Sequence, residues 1–249
     1  NYYNGLMLGS VLHNYSFFEK RFEYFLAPMF SFKSKTLAGS GQLNYHIYPN
    51  KLFKSIELQA NLKSYNYDEL SFNNVNNTLG THFKTFNLTY YKFTPNAEFT
   101  FKKKNATNQT NHSFNIGSTI LFIDSVRVNS DMNNNFFKAD LYTINNSVNR
   151  FSYFISNNRT INPFNLEIVI QQNKYMTKTY ATFNYKINVA KNKNFGLRVF
   201  AGTFLHGTDL AKNYYRFRMR AHNGSDDYLF DANFLARNLN SNFGNTQIN

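Results

Sequence analysis

Apolar and polar residues alternate with a period of two along most of the chain, most clearly between residues 164 and 205. Three runs show it there, at residues 164–171, 180–189 and 195–205, separated by short polar links. Because successive side chains of a strand point to opposite faces, the runs predict three antiparallel strands. Each run has about ten residues, the length that a tilted strand needs to cross a bilayer.

The same alternation predicts further strands elsewhere in the chain. These strands cover residues 5–14, 20–34, 39–48, 52–63, 83–93, 97–104, 113–124, 148–157 and 214–222. Pro28 predicts a bulge or bend, and the turn signal at Pro95 predicts a hairpin between residues 83–93 and 97–104. Residues 65–80 and 125–135 are predicted loops, and residues 136–146 fit either a strand or a loop. The total is about twelve to fourteen strands.

The pattern therefore predicts an all-β fold, an antiparallel transmembrane β-barrel in which residues 1–249 form one domain that is incomplete at its C-terminal end. A soluble β-sandwich or a large lipid-binding half-barrel would alternate too. Sandwich strands usually have five or six residues, so the longer runs favour the membrane barrel. Tyrosine and phenylalanine also gather at the strand ends, where membrane barrels carry aromatic girdles. They include Tyr15, Phe17, Phe18, Tyr48, Tyr90, Tyr91, Phe93, Tyr214 and Tyr215.

Composition supports an apolar outside and a polar inside. Aromatic residues make up 18% of the chain, yet its mean hydropathy is −0.50, a combination that suits a barrel better than a compact core. The formal net charge is +13, but the cationic residues are scattered over many strands, so nucleic acid is not an expected partner. The chain contains no cysteine, which excludes disulfides and thiolate metal sites.

Charged residues within the predicted strands are candidates for a water-filled lumen. Three arginines share one face of residues 214–222, where a dry protein core would not accept them. The lumen-facing candidates are Glu57, Lys63, Glu167, Lys186, Arg198, Arg216, Arg218 and Arg220. Their expected role is lumen solvation and ion pairing.

No motif in the sequence predicts catalysis, a metal or a cofactor. The six histidines show no metal-ligand spacing, and there is no His-Glu-x-x-His motif. Residues 222–227 (HNGSDD) carry the atom types of a hydrolase, but they are contiguous and typical of a turn. The aspartates also lack the spacing of a calcium loop. An outer-membrane hydrolase thus stays a distant alternative.

Six segments of the chain are distinctive when taken together, namely residues 5–14 (GLMLGSVLHN), 22–33 (FEYFLAPMFSFK), 39–49 (GSGQLNYHIYP), 162–164 (NPF), 196–202 (GLRVFAG) and 227–238 (DYLFDANFLARN). They resemble the C-terminal outer-membrane β-barrel domain of Bacteroidota proteins that carry an aminopeptidase-N-like zinc metallopeptidase domain. The resemblance covers most of the chain, in that order. It implies a preceding peptidase-like domain, whose zinc ligands and catalytic residues have no counterparts among these residues.

We therefore expect a non-enzymatic domain in a bacterial outer membrane, without a cofactor. It would anchor an appended peptidase-like domain or act as a subunit of an outer-membrane complex. Its expected partners are outer-membrane lipid or lipopolysaccharide and other outer-membrane or periplasmic subunits. A porin or transporter for anionic solutes is the alternative that a basic lumen would favour. The first residue is Asn1 rather than methionine, so we also expect a fragment of a longer protein. The resemblance further implies additional strands beyond Asn249.

Overall fold

A computed structural model describes residues 3–49, 51–77, 80–103, 105, 107–131, 136–190, 193–217 and 228–230. Within these ranges the chain forms eleven strands and one short helix, which confirms the all-β prediction. The strands are β1 (Met7–Gly9), β2 (Leu12–His13), β3 (Phe22–Ser31), β4 (Thr36–Ile47), β5 (Phe53–Asn77), β6 (Gly80–Phe101), β7 (Thr110–Asp131), β8 (Phe136–Asn157), β9 (Phe164–Gln172), β10 (Met176–Ala190) and β11 (Lys193–Gly207). The helix α1 (Asp209–Tyr214) follows β11.

All eleven strands belong to one sheet in which chain neighbours pair antiparallel from β3 to β11. The short strands β1 and β2 both pair with β3, so they share one edge of the sheet. Strand β11 forms the other edge, and the sheet is open between these edges. The antiparallel prediction is confirmed, whereas the count of twelve to fourteen strands is too high for the described residues.

Pro28 lies inside β3 without breaking it, whereas the chain that pairs with β3 beside the proline is divided into β1 and β2. It pairs in continuous register with Gly39 on β4, so the predicted bulge or bend does not produce a register shift there. On the opposite side, Ser10 and Val11 lie between β1 and β2, facing the proline, which has no N–H to donate. Gly39 has a φ of +145°, and a Cβ there would lie 2.2 Å from the Ala27 carbonyl oxygen. This close approach requires glycine.

The predicted hairpin around Pro95 is wrong, because β6 runs straight through the proline. Pro95 pairs with Ala60 on β5, and the ladder from β6 to β7 is interrupted at Thr94 and Pro95, where a proline costs least. The predicted loops 65–80 and 125–135 are largely strand, since β5 and β7 continue to Asn77 and Asp131. Residues 136–146 resolve as the first half of β8.

The predicted strand at residues 214–222 is also wrong where the structure describes it. Tyr214 ends α1, and residues 215–217 form no strand. Thr208 caps the helix by accepting from the Ala211 N–H, and Asp209 places negative charge in the first turn. These local signals compete with the alternation of residues 214–222. Residues 218–222 lie outside the described part of the chain.

Polarity across the sheet is the reverse of that in a soluble protein. On β4, Leu43 and Tyr45 are 39% and 45% exposed, whereas the intervening Asn44 is only 8% exposed. On β9, Ile168 is 40% exposed and Gln171 is 2% exposed. We call the face with these exposed side chains the apolar face, and the opposite one the polar face. The ladder register places on the apolar face Leu43, Leu58, Leu62, Phe93, Ile116, Phe122, Phe151, Ile168 and Ile170.

The sheet curls around residues 228–230, which we call the inner segment. The Phe230 ring lies 5.5 Å from the Tyr67 ring on β5, and the Lys178 Nζ on β10 lies 4.7 Å from the Tyr228 ring centroid. In a flat sheet, with strands about 4.8 Å apart, β5 and β10 would be separated by roughly 24 Å. Three extended residues span only about 10 Å. The polar face is therefore concave and the apolar face convex.

Strand β6 pairs with β7 only between Tyr90 and Thr100. Toward the start of β6 this ladder ends, and the β5–β6 hairpin instead packs against the β7–β8 hairpin. Phe86, Leu88 and Ala139 form a buried apolar cluster between them. A single parallel pair joins β5 to β8 at Val75. This projecting hairpin pair buries apolar side chains between its two hairpins, while Val128 and Leu141 stay exposed.

Asp124 stabilises the point where the two hairpins separate. Its carboxylate accepts from the Thr89 backbone N–H at 3.3 Å and from the Thr143 hydroxyl at 3.0 Å. The first of these bonds satisfies a donor beside the last ladder pair between β6 and β7. The carboxylate thus ends that ladder without leaving the Thr89 amide unpaired.

Replacing Asp124 with alanine is expected to lower the free energy of unfolding by about 1–3 kcal/mol, because it removes the acceptor from two donors. Faster amide hydrogen exchange at Thr89 should accompany the loss. Asp124→Asn, which keeps one carbonyl acceptor, should lie between the wild type and Asp124→Ala. Equal stability of all three proteins would contradict the role assigned to the carboxylate.

Candidate functional site on the concave face

The concave face carries polar side chains from successive strands at matching ladder positions. Near its centre, the guanidinium of Arg150 on β8 donates to the Glu167 carboxylate on β9 at 2.6 Å. Both side chains keep more than a third of their surface exposed, so the pair contributes at most about 1 kcal/mol to stability. Gln171, which pairs with Arg150 in the ladder between β8 and β9, is buried. The ion pair is therefore partly exposed and has a polar neighbour.

Acidic residues gather around a buried histidine at the end of β4. The two ring nitrogens of His46 lie 3.6 Å from the Glu19 carboxylate and 3.8 Å from the Glu23 carboxylate. The ladder places Glu57 opposite His46 on β5. Tyr48 donates its hydroxyl to Glu19 at 2.7 Å, and this hydrogen bond raises the pKa of Tyr48 to about 12. This end of the concave face is acidic, in contrast to the basic chain as a whole.

Two lysines of the concave face hold the chain that follows β11. Lys92 Nζ donates to the Leu229 carbonyl oxygen at 2.8 Å, and Lys178 Nζ donates to the Tyr215 carbonyl oxygen at the same distance. Lys178 also lies 4.9 Å from the Phe217 ring centroid, a cation–π contact. Because both lysines are buried, these bonds satisfy charges that would otherwise be costly. The two lysines therefore fix the chain inside the curl.

The predicted lumen residues divide into three groups. Glu57, Lys63 and Glu167 are half-buried on the concave face. Lys186 and Arg198 share that face by register but lie exposed near the turn between β10 and β11. Arg216 is exposed and follows α1, while Arg218 and Arg220 lie outside the described residues. Because the sheet is open, a lumenal role for the first two groups stays a prediction.

Sequence reasoning missed the residues with the strongest contacts on this face, namely Arg150, Lys92 and Lys178. Each of them occupies a polar position in an alternating strand, which is the signal that could have identified them. Lys92, for example, lies between Tyr91 and Phe93, which point to the apolar face. Their hydrogen-bond partners are distant in the sequence, so no spacing rule connects them.

The hydrolase-like residues 222–227, on which the distant alternative of an outer-membrane hydrolase rests, lie outside the described part of the chain. Among the described residues, no group of three or more histidine, aspartate or glutamate side chains could hold a metal ion. A search of the same residues finds no helix with the length and apolar character required to cross a membrane.

Comparisons with known proteins do not assign a family to this chain. No family model, no curated protein and no solved structure matches it. The resemblance to the barrel domains of aminopeptidase-N-like proteins therefore stays a prediction that rests on the quoted motifs alone.

Proposed function

We propose that the chain is a transmembrane β-barrel domain of a bacterial outer membrane. The reversed polarity carries this proposal: large apolar side chains cover the exposed convex face, whereas polar side chains line the concave face around a buried cluster at Tyr90. In water this arrangement would expose a broad apolar surface, whereas in a bilayer it satisfies lipid outside and polar groups inside. Strands β3, β4 and β9 to β11, with nine to fifteen residues each, are long enough to cross.

Strand parity supports closure of the sheet in the membrane. Since β1 and β2 occupy one edge position together, the sheet has ten ladder positions with alternating direction. Its two edges, β1–β2 and β11, therefore run antiparallel and have the correct direction to pair with each other. Lipid cannot satisfy unpaired edge groups, so closure would stabilise the inserted domain.

The occupied interior favours an anchor over an open channel. The inner segment, held by Lys92, and the Tyr215 region, held by Lys178, both lie against the concave face. A barrel filled in this way leaves little room for a continuous pore. We therefore propose that the domain anchors an appended peptidase-like domain or joins an outer-membrane complex as a subunit. The resemblance in the sequence supports the peptidase-like attachment.

Reconstitution into phospholipid vesicles and planar bilayers tests this proposal. The refolded protein is expected to float with vesicles and to resist extraction at high pH. It should then show no steady single-channel conductance in planar bilayers. Recovery in the soluble fraction would overturn the membrane assignment. Vesicle insertion with steady conductance would instead favour the porin or transporter function.

A further inference from the structure

A polar cavity of about 470 Å³ lies on the concave face between β5 and β9. Leu229 of the inner segment forms part of its wall. The cavity lies apart from the acidic cluster at His46, contains the Arg150–Glu167 pair, and shares Leu229 with the Lys92 contact. Its volume lies within the usual range for small-molecule sites.

The lining consists mainly of uncharged groups that can both donate and accept hydrogen bonds. The hydroxyl and amide side chains are Gln59, Thr94, Asn96, Ser113, Asn115, Thr119, Ser152 and Gln171. Among the charged lining residues, Arg150 and Glu167 neutralise each other at 2.6 Å, which leaves Glu98. An anionic ligand would therefore meet a carboxylate without a matching free cation.

One lining group lacks a hydrogen bond within the described structure. The Thr94 hydroxyl oxygen is buried and has no partner there, although a buried hydroxyl normally has one. Phe154, which is 37% exposed, also lines the cavity and offers an apolar surface beside the polar groups. Paired hydroxyl and amide groups with one aromatic ring fit a ligand that has hydroxyls around its edge and C–H groups on its face.

We infer that this cavity binds a neutral, polyhydroxylated solute with one or two sugar rings. Sugar hydroxyls donate and accept, as the lining does, and a ring face packs on Phe154. The site does not depend on membrane insertion, because the concave face and the inner segment form it. It adds a ligand to a domain for which the proposed role is anchoring.

Saturation-transfer NMR with maltose tests this inference on the full chain in lauryldimethylamine oxide micelles, since a glycoside detergent would compete. Maltose is expected to bind with a millimolar Kd, and glucuronate and hexane-1,6-diol should bind at least tenfold more weakly. Ser152→Leu, which fills the cavity, should weaken maltose binding at least tenfold. Ser147→Leu is the matched control, because Ser147 is exposed at an odd position of the same strand, on the other face. It should leave binding unchanged.

Asn115→Leu gives a second test should Ser152→Leu fail to fold by circular dichroism, because Asn115 lines the cavity from β7. Absence of maltose binding by the wild type would overturn the inference. Tighter binding of glucuronate, or binding that both cavity variants retain, would overturn it as well. Loss of binding in a cavity variant, together with retention in Ser147→Leu, would support it.

Discussion

Replacing Leu62 with arginine is expected to destabilise the protein in phospholipid vesicles by about 2–4 kcal/mol. Leu62 is 53% exposed on the convex apolar face, at a ladder position between Gly41 and Phe93. If that face contacts water, arginine at so exposed a position should change stability by less than about 0.5 kcal/mol. If it contacts lipid, the guanidinium loses its hydration. Guanidinium-induced unfolding in vesicles measures the difference.

Gln59→Arg is the matched control on the same strand. Gln59 lies on the concave face and lines the polar cavity, which has room for a longer side chain. We expect a change of under about 1 kcal/mol, because the charge stays in a polar environment. Equal effects of Leu62→Arg and Gln59→Arg would argue against lipid contact on the convex face.

Replacing Tyr90 with alanine is expected to lower the free energy of unfolding by about 3–5 kcal/mol, because a large aromatic side chain is removed from a packed site. Tyr90 is fully buried on the concave face, and its ring centroid lies 4.8 Å from that of Phe230. Tyr65 and Leu121 belong to the same cluster, so the cavity left behind would have several walls that cannot all collapse. Chemical unfolding measures the loss.

The neighbouring Tyr91→Ala should cost much less, since Tyr91 is 54% exposed on the opposite face. A double-mutant cycle with Phe230→Ala should also give a coupling of about 0.5–1.5 kcal/mol between the two rings. A coupling near zero would show that the inner segment does not pack on Tyr90 in solution.

The alternation of side chains was sufficient to predict an all-β, antiparallel sheet and most of its strands. β4, β9, β10 and β11 agree with the predicted runs to within a few residues, because each has one apolar and one polar face along its length. The apolar outside was predicted from the composition, which combines 18% aromatic residues with a mean hydropathy of −0.50, and not from the alternation. Alternation shows that two faces differ, but not which of them faces solvent.

The longest strands were predicted poorly for a physical reason. In the projecting hairpin pair, apolar side chains of both hairpins pack together, and the regular alternation fades in residues 65–80 and 125–135. Pro95 was predicted to lie in a turn because proline usually ends a strand. The sequence does not show that the ladder between β6 and β7 is interrupted at Pro95, which allows β6 to continue through it.

The candidate site was predicted only in part. Glu57, Lys63 and Glu167 fall on the concave face, as strand periodicity indicated. The contacts of Lys92 and Lys178 depend on chain segments more than 30 residues away in sequence, where neither spacing nor composition offers a signal. The helix α1 after β11 was not predicted, because Tyr, Phe and Arg alternate in residues 214–222 as they would in a strand.

The projecting hairpin pair has its own buried apolar cluster of Phe86, Leu88 and Ala139, and the partly buried Tyr67 packs against both this cluster and the one around Tyr90. Asp124 lies at the base of the projection, where the ladder between β6 and β7 ends. The projecting hairpin pair can thus change in length or sequence while the curled sheet keeps its own contacts.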